Sequence, residues 1–349
     1  MPFIKRILLS NYRNYKSNSF EFIDGINIFC GKNGVGKTNI LESISMLSPG
    51  KGFLSADIKE ITTKSEKDWS IYATLENSEN YDTLAVYTEN EKKRIKINGN
   101  PIRGQDELNN IFNIIYLIPQ MQNLLIGDKG DRRKFLDRCV YLTDSQHAVR
   151  VVKYEYYIKE RMKVLQDNRK IDEKWLAVLE DKIAELGINI SNIRKRTIVS
   201  MNKILEKRDF NFPKFDLVLE SDLNILNFRQ TLTNNRTKDK ETKRTNDGPH
   251  KDDFSIFYRI KNLDAKNCST GEQKLFLISL TLLKIFLCIE MKKATPVVLL
   301  DEVFSYLDDL KKKELFEEIK KLKIQSFITT NTLKVFDKIK DENINIINL

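Results

Sequence analysis

Gly31-Lys32-Asn33-Gly34-Val35-Gly36-Lys37-Thr38 is the stretch on which the reading of the whole chain turns. It fits G-x-x-x-x-G-K-[ST], a loop that cradles the phosphates of a nucleoside triphosphate. Residues 26–30 ahead of it read as a short buried strand, and residues 38–44 open a helical pattern with apolar side chains at 40, 41 and 44. The glycines let the backbone curl so that successive N–H groups face phosphate oxygens, and the helix N-terminus adds its positive dipole end. Lys37 would reach the β- and γ-phosphates, and the Thr38 hydroxyl would sit on Mg²⁺. A glycine-rich turn could match the pattern by chance, but the strand before and the helix after favour the nucleotide.

Composition sets the bounds. A length of 349 residues suits two domains, and 41% hydrophobic with 31% charged residues is an ordinary globular mixture. A net charge of +10 favours a polyanionic partner but, taken alone, is also what a lysine-rich genome produces. Cys30, Cys139, Cys268 and Cys288 have neither paired nor metal-type spacing, so they read as reduced thiols of a cytoplasmic protein. Only two histidines, His147 and His250, leave little room for a zinc site or a serine-type triad. The longest apolar run, residues 275–289, is broken by Lys284 and too short to span a bilayer. No apolar leader follows Met1, so the expectation is a soluble enzyme with no membrane partner.

Along the chain, residues 4–10 and 19–30 hold strand-like runs joined by the polar-aromatic turn Asn11-Tyr12-Arg13-Asn14-Tyr15. Residues 69–75, 83–88 and 94–97 alternate apolar and polar side chains and predict an antiparallel sheet. Residues 114–118 read as an interior strand ended by Pro119. From about 130 the period becomes helical. Residues 131–141 and 149–166 are helices, and 166–172 is a polar connector with Asp172 as N-cap. Leu179, Ile183, Leu186, Ile190, Ile193 and Thr197 then form a heptad-like seam, about 50 Å long if residues 174–208 are one helix at ~1.5 Å per residue. Gly187 inside it should weaken the helix by about 1 kcal/mol. The hairpin of these two helices suits either a projecting arm or a layer packed on the core. Residues 233–248 lack any large apolar side chain and predict a mobile basic loop. Beyond it come a strand at 254–260, a long apolar helix at 273–290 and a buried strand at 297–300. An amphipathic helix at 307–322, with Leu310, Phe316, Ile319 and Leu322 on one face, and strands at 326–330 and 344–347 follow.

Val297-Val298-Leu299-Leu300-Asp301-Glu302 is a buried strand ending in two acids. Acids placed there emerge at the carboxyl edge of a parallel sheet, where ligands bind. Asp301 would hold Mg²⁺ through water, and Glu302 would polarise the attacking water. The bland alternative for such a pair is a helix N-cap.

Ser269-Thr270-Gly271-Glu272-Gln273 opens the long apolar helix and resembles the signature of ABC-type ATPases, whose usual form is S-G-G-x-Q. In that class the signature touches a nucleotide held by a second subunit. The resemblance therefore implies that Ser269, Gly271 and Gln273 complete the site of a two-fold partner, in a dimer with two shared ATPs. Ser305-Tyr306-Leu307-Asp308 looks like the D-loop of the same class, with Asp308 at the dimer interface. Phe327-Ile328-Thr329-Thr330-Asn331 stands where the class often has a switch histidine, so any γ-phosphate sensing falls to Thr330 or Asn331. Gln120 is the candidate for the Q-loop, which links the metal to conformational change.

Residues 9–15, the phosphate loop, residues 130–137 (Gly-Asp-Arg-Arg-Lys-Phe-Leu-Asp), residues 248–253 (Gly-Pro-His-Lys-Asp-Asp) and residues 269–274 together resemble the RecF family of recombination-mediator ATPases, related to SMC-type heads. The resemblance runs the length of the chain, with Thr270, Glu272, Gln120 and the lysine-rich 233–248 stretch as departures. It implies an α/β, P-loop ABC-type (SMC-like head) ATPase domain built from residues 1–125 and 250–349, with a helical second domain at 126–249. It also implies an ATP-driven homodimer on DNA, acting in DNA replication, the SOS response to DNA damage and recombinational repair. With RecO and RecR it would help load RecA at single-strand gaps. Lys51, Arg132, Arg133, Arg194, Lys195, Arg196, Lys203, Lys207 and Arg208 could line a groove that contacts phosphates, with little base readout. His250 is either a functional residue of its block or a capping group.

Two other readings compete. In a transport ATPase subunit the phosphate loop and signature stand much closer together than Lys37 and Gly271 do here. A generic P-loop nucleotidase or small-molecule kinase would leave residues 269–273 unexplained.

Overall fold

The computed structural model describes residues 2–63, 66–77, 81–102, 106–109, 111–167, 172–209, 211–221, 223–291, 295–333 and 343–349. Its first part contains β1 (Phe3–Tyr12), β2 (Tyr15–Glu21), β3 (Ile26–Cys30), α1 (Lys37–Ser45), α2 (Ile58–Ile61), β4 (Ser70–Glu76), β5 (Tyr81–Glu89), β6 (Lys92–Ile97), β7 (Asn100–Pro101), α3 (Asp106–Asn109) and β8 (Phe112–Leu117). Then follow α4 (Asn123–Ile126), α5 (Lys129–Thr143), α6 (His147–Gln166), α7 (Glu173–Lys207), β9 (Asp216–Glu220), α8 (Phe228–Asn234), α9 (Arg236–Thr242), β10 (Asp253–Tyr258), β11 (Leu263–Asp264) and α10 (Thr270–Met291). The chain ends with β12 (Thr295–Leu300), α11 (Asp309–Leu322), β13 (Ser326–Thr330) and β14 (Ile344–Asn348).

Two compact units result, one of Met1–Gln120 with Cys288–Leu349 and one of Met121–Leu287. In the first, a five-stranded sheet has the order β14-β3-β13-β12-β8, and all its pairings are parallel. Ile26 to Phe29 of β3 are all buried, as a strand covered on both faces requires. The other sheet, β2-β1-β4-β5-β6-β7, is antiparallel, and β4 alternates in burial as its sequence does. On α11 the buried face is Leu315, Phe316 and Ile319, while Leu310 is exposed.

The second unit pairs a helical layer with a three-stranded antiparallel sheet, β11-β10-β9. The first unit resumes at Cys288 rather than at 250, because β10 pairs with β9 (Asp253↔Glu220 to Phe257↔Asp216) and so belongs with the helices. The seam residues Leu179, Ile183 and Ile190 of α7 are buried, and Tyr154, Phe228 and Leu232 share the core with Ile183 and Ile190. α7 thus lies in a packed layer. Asp172 caps it by accepting from the Trp175 N–H at 2.9 Å, while residues 168–171 of the expected connector lie outside the described residues. Gly187 has a packing cause: a Cβ there would stand 2.7 Å from Phe228 Cε1 and 3.2 Å from Tyr154 Cε2.

Residues 233–248 are not the loop that their polarity predicts. They carry the end of α8 and all of α9. Charge replaces apolar contact here. Arg161, fully buried, donates to Glu180 at 3.1 Å, to Asp239 at 2.7 Å and to the Leu232 carbonyl at 2.7 Å. Arg236 adds a bond of 2.7 Å to Glu180, and Asp239 accepts from the Asn246 N–H. Among the described residues no helix is long and apolar enough to cross a membrane.

Candidate nucleotide-binding site

The phosphate loop leaves β3 at its carboxyl end, and Gly36 (φ 108°) leads directly into α1. A Cβ on Gly36 would meet Asn14 Nδ2 at 2.5 Å and Tyr15 Oη at 2.7 Å, so a glycine is needed on both counts. Asn14 Nδ2 donates to the Val35 carbonyl at 3.2 Å, and Asn39 Nδ2 donates to Asn14 Oδ1 at 2.8 Å. Arg13 forks onto Glu42 of α1 at 2.8 and 2.7 Å. The turn at residues 11–15 is therefore the bracket of the phosphate loop, a role its sequence did not disclose. Lys93 of β6 closes the other end of α1, donating to the Met46 and Gly50 carbonyls at 3.1 and 2.8 Å; burial brings its amine down to about 8.

Lys37, 5% exposed, directs its three protons to the carbonyls of Gly31 (2.6 Å) and Lys32 (2.9 Å) and to Asn331 Oδ1 (2.8 Å). Of the two candidates for the missing histidine, Asn331 is thus the one on the loop; Thr330 turns to the Thr332 carbonyl at 2.9 Å. Thr38 Oγ1 donates to the Asp301 carboxylate, 3.1 Å from Oδ1 and 3.0 Å from Oδ2. Asp301 is 3% exposed. Burial pushes its carboxyl above the usual range, partly offset by the hydroxyls of Thr329 and Thr38.

Glu302 follows in a left-handed conformation (φ 53°, ψ 14°), and its N–H donates to Thr329 Oγ1 at 2.8 Å. Thr329 was not among the expected site residues. Nothing in Thr-Thr-Asn shows which threonine faces the acids until β13 is placed between β3 and β12. Gln120 is exposed, just past the carboxyl end of β8. Asp308 caps α11, accepting from the Lys311 N–H at 2.8 Å.

The signature residues belong to the second unit. Ser269 and Gly271 are exposed, and a Cβ on Gly271 would meet nothing within 4 Å. Glu272 closes a capping box on Ser269, accepting from its hydroxyl at 2.8 Å and its N–H at 3.2 Å. Lys261 pairs with the other oxygen of Glu272 at 2.6 Å and, with Ser269, holds that carboxyl below the usual range. Gln273 donates to the Lys266 and Cys268 carbonyls at 2.9 and 3.1 Å.

Residues 130–137 and 248–253 prove to be partners of each other. Arg132 forks onto Asp253 at 2.7 and 3.0 Å, and Arg133 donates to the Asp252 carbonyl at 2.9 Å. Arg194, 3% exposed, binds Asp137 with two bonds of 2.9 Å and Asp252 with one of 3.1 Å. Arg194 is therefore removed from the expected phosphate-contacting set, and Arg132 and Arg133 are engaged internally. Arg196, Lys203 and Lys207 remain exposed and share one face of α7, at i, i+7 and i+11. Lys195 is also exposed, whereas Arg208 stacks 4.3 Å from the Phe286 ring centre. His250 is a structural group: its Nδ1 accepts from the Tyr154 hydroxyl at 2.8 Å and its Nε2 donates to the Thr245 carbonyl at 2.9 Å. Burial lowers its pKa, so the neutral tautomer that these two bonds require is favoured.

The sequence profile of the RecF/RecN/SMC N terminal domain matches residues 3–348. The chain is 37% identical over 343 residues to the DNA replication and repair protein RecF of Rickettsia felis, covering 95% of this chain and 94% of that one. With the protein of the same name from Rickettsia canadensis it shares 38% over 346 residues, 95% of each. A solved structure of the recombination mediator protein RecF with ATP, in the RecFOR pathway, superposes with a TM-score of 0.85 at 26% identity, over 98% of this chain and 94% of that one. The Smc head domain of Pyrococcus furiosus, at 18% identity and a TM-score of 0.55 over 100% of this chain and 93% of that one, shares the fold.

Proposed function

This chain belongs to the RecF/RecN/SMC N terminal domain family, and from that membership we propose that it is an ATP-binding protein of DNA replication and recombinational repair. The observation that carries the reading is the approach of Thr38 to Asp301, 3.0 Å apart at the carboxyl edge of a parallel sheet. Gly31 to Lys37 cradle the triphosphate, and a phosphate oxygen replaces Asn331 on the Lys37 ammonium. The Thr38 hydroxyl and the Asp301 carboxylate are hard oxygen donors converging on one point, which fits Mg²⁺. Bound there, the ion would neutralise charge on the β- and γ-phosphates. Glu302 orients and deprotonates the attacking water, and Gln120 follows the state of the phosphates.

Residues 1–120 and 288–349 supply the ATPase head in this reading, and residues 121–287 a helical lid that also carries the signature. The exposed Ser269 and Gly271, with Gln273 and Asp308, complete the site of a second copy, so that ATP closes two chains on DNA. Hydrolysis is slow, is stimulated by DNA and opens the dimer. The DNA is a junction of single and double strands, held through its phosphates. RecO, RecR and RecA are the partners that the family resemblance supplies, and the compartment is the cytoplasm.

The test is ATP turnover with and without gapped DNA across a salt series. Stimulation at low salt that declines linearly against the logarithm of salt concentration is expected. A rate indifferent to DNA at every salt concentration would contradict the DNA part of the proposal.

A further inference from the structure

We infer that Thr329 is a positioning residue for the ATP hydrolysis proposed above, its hydroxyl setting Asp301 and Glu302 relative to one another. The inference rests on that reading of the nucleotide site. β13 lies between β3, which delivers the phosphate loop, and β12, which delivers the acids. Thr329, next to last in β13, is fully buried. Because strand side chains alternate, its neighbour Thr330 points elsewhere and spends its hydroxyl on the Thr332 carbonyl.

A hydroxyl has one proton to give and lone pairs to receive. Thr329 donates its proton to Asp301 Oδ1 at 2.8 Å and accepts the Glu302 N–H at 2.8 Å. Both capacities are used, so one rotation of the hydroxyl satisfies both acids. Asp301 Oδ1 also receives Thr38 Oγ1 at 3.1 Å, so the carboxylate is held both from β13 and from the first turn of α1. Glu302 is the more dependent of the two. Its left-handed backbone (φ 53°, ψ 14°) is uncommon for a residue with a side chain and persists only where surrounding bonds impose it. Those bonds are its N–H to Thr329 and its carbonyl to the Ser305 N–H at 3.0 Å. Without the hydroxyl, the Glu302 N–H loses its acceptor and Asp301 loses one of its donors. The acid for the metal and the acid for the water then loosen together.

The experiment compares full-length wild type, Thr329→Val and Thr329→Ser. Valine keeps the shape and removes the hydroxyl, whereas serine keeps the hydroxyl. Three quantities are read: ATP turnover with its KM, affinity for a fluorescent ATP analogue in EDTA and through a Mg²⁺ titration, and thermal melting. Thr329→Val is expected to melt close to wild type and to bind the analogue in EDTA within about two-fold. It should need roughly three-fold more Mg²⁺ for half-maximal tightening and turn over about ten-fold more slowly at unchanged KM, the scale of one lost hydrogen bond. Thr329→Ser should recover most of both.

Valine matching wild type in turnover and Mg²⁺ requirement overturns the inference. So does serine failing as valine does. Loss of affinity in EDTA alongside the rest also overturns it, since that is what a packing residue would give. A wild-type chain that neither binds nor hydrolyses ATP is a separate failure and overturns the nucleotide reading itself.

Discussion

Thr38 and Asp301 stand 263 positions apart in the chain, and the hydroxyl of one lies 3.0 Å from the carboxylate of the other. The parallel sheet makes this possible. β3 and β12 run the same way with β13 between them, so the loop after one and the acid after the other leave at the same edge. A triphosphate held by the loop would have its metal-binding carboxylate already oriented, which is the preorganisation that phosphoryl transfer needs.

Lys37→Ala removes the buried ammonium around which the loop folds. Its three present acceptors are backbone carbonyls and Asn331, all of which water can serve once the site is open. The fold should hold, and ATP affinity should drop about 100-fold, the loss of two charge-assisted bonds. Isothermal titration checks the affinity, and a thermal shift on adding ATP, present in wild type, should vanish.

Gly187→Ala should destabilise the protein despite alanine being the better helix former. The added methyl would come within 2.7 Å of Phe228 and 3.2 Å of Tyr154, inside a packed core. Overpacking of that kind costs about 1–3 kcal/mol, against a helix gain of about 1 kcal/mol. Urea unfolding should show a lower midpoint, and pairing the change with Phe228→Leu should recover part of it.

Arg161→Met should cost about 3–5 kcal/mol, because Glu180 and Asp239 are left buried with less counter-charge. Acid sensitivity should move as well. Burial raises the Glu180 carboxyl, but its bonds to Arg236 and Arg161 outweigh burial and hold it below the usual range. A carboxylate lowered in the folded state contributes stability above its unfolded pKa and loses it as pH falls through the folded value. Wild type should therefore resist acid until below the ordinary glutamate range, while Arg161→Met should begin to unfold at higher pH. Circular dichroism against pH distinguishes the two.

Glu272→Gln bears on the signature. The carboxylate of Glu272 now takes both the hydroxyl and the N–H of Ser269, the groups proposed to meet a partner's phosphate. An amide keeps the capping geometry and removes the negative charge, so ATP-dependent association should tighten by roughly three- to ten-fold, on the scale of one charge at a helix N-terminus. Sedimentation velocity at fixed ATP measures it.

Much of this was legible in the residues. The strand, glycine-rich turn and helix of residues 26–45 and the buried strand that ends before Asp301 are local patterns, and these elements lie where the patterns predicted them. What stayed hidden depends on distant partners. Residues 233–248 looked unstructured because their stabilisation is ionic and comes from Arg161 and Glu180, far away in sequence. Arg194 looked like a surface cation, but Asp137 and Asp252 bury it. Gly187 looked like a weak point in a helix until Phe228 was placed against it. Thr329 could not be told from Thr330 until strand order was known.

In the proposed dimer two copies close on shared ATP, each supplying Ser269 to the phosphate loop of the other. Glu302→Gln should bind ATP and hydrolyse it too slowly to reopen, so light scattering at saturating ATP should read a stable dimer. Adding Ser269→Ala to that chain should return it to monomer with ATP still bound. A Glu302→Gln protein that stays monomeric with ATP bound at every protein concentration tested would contradict the proposed dimer.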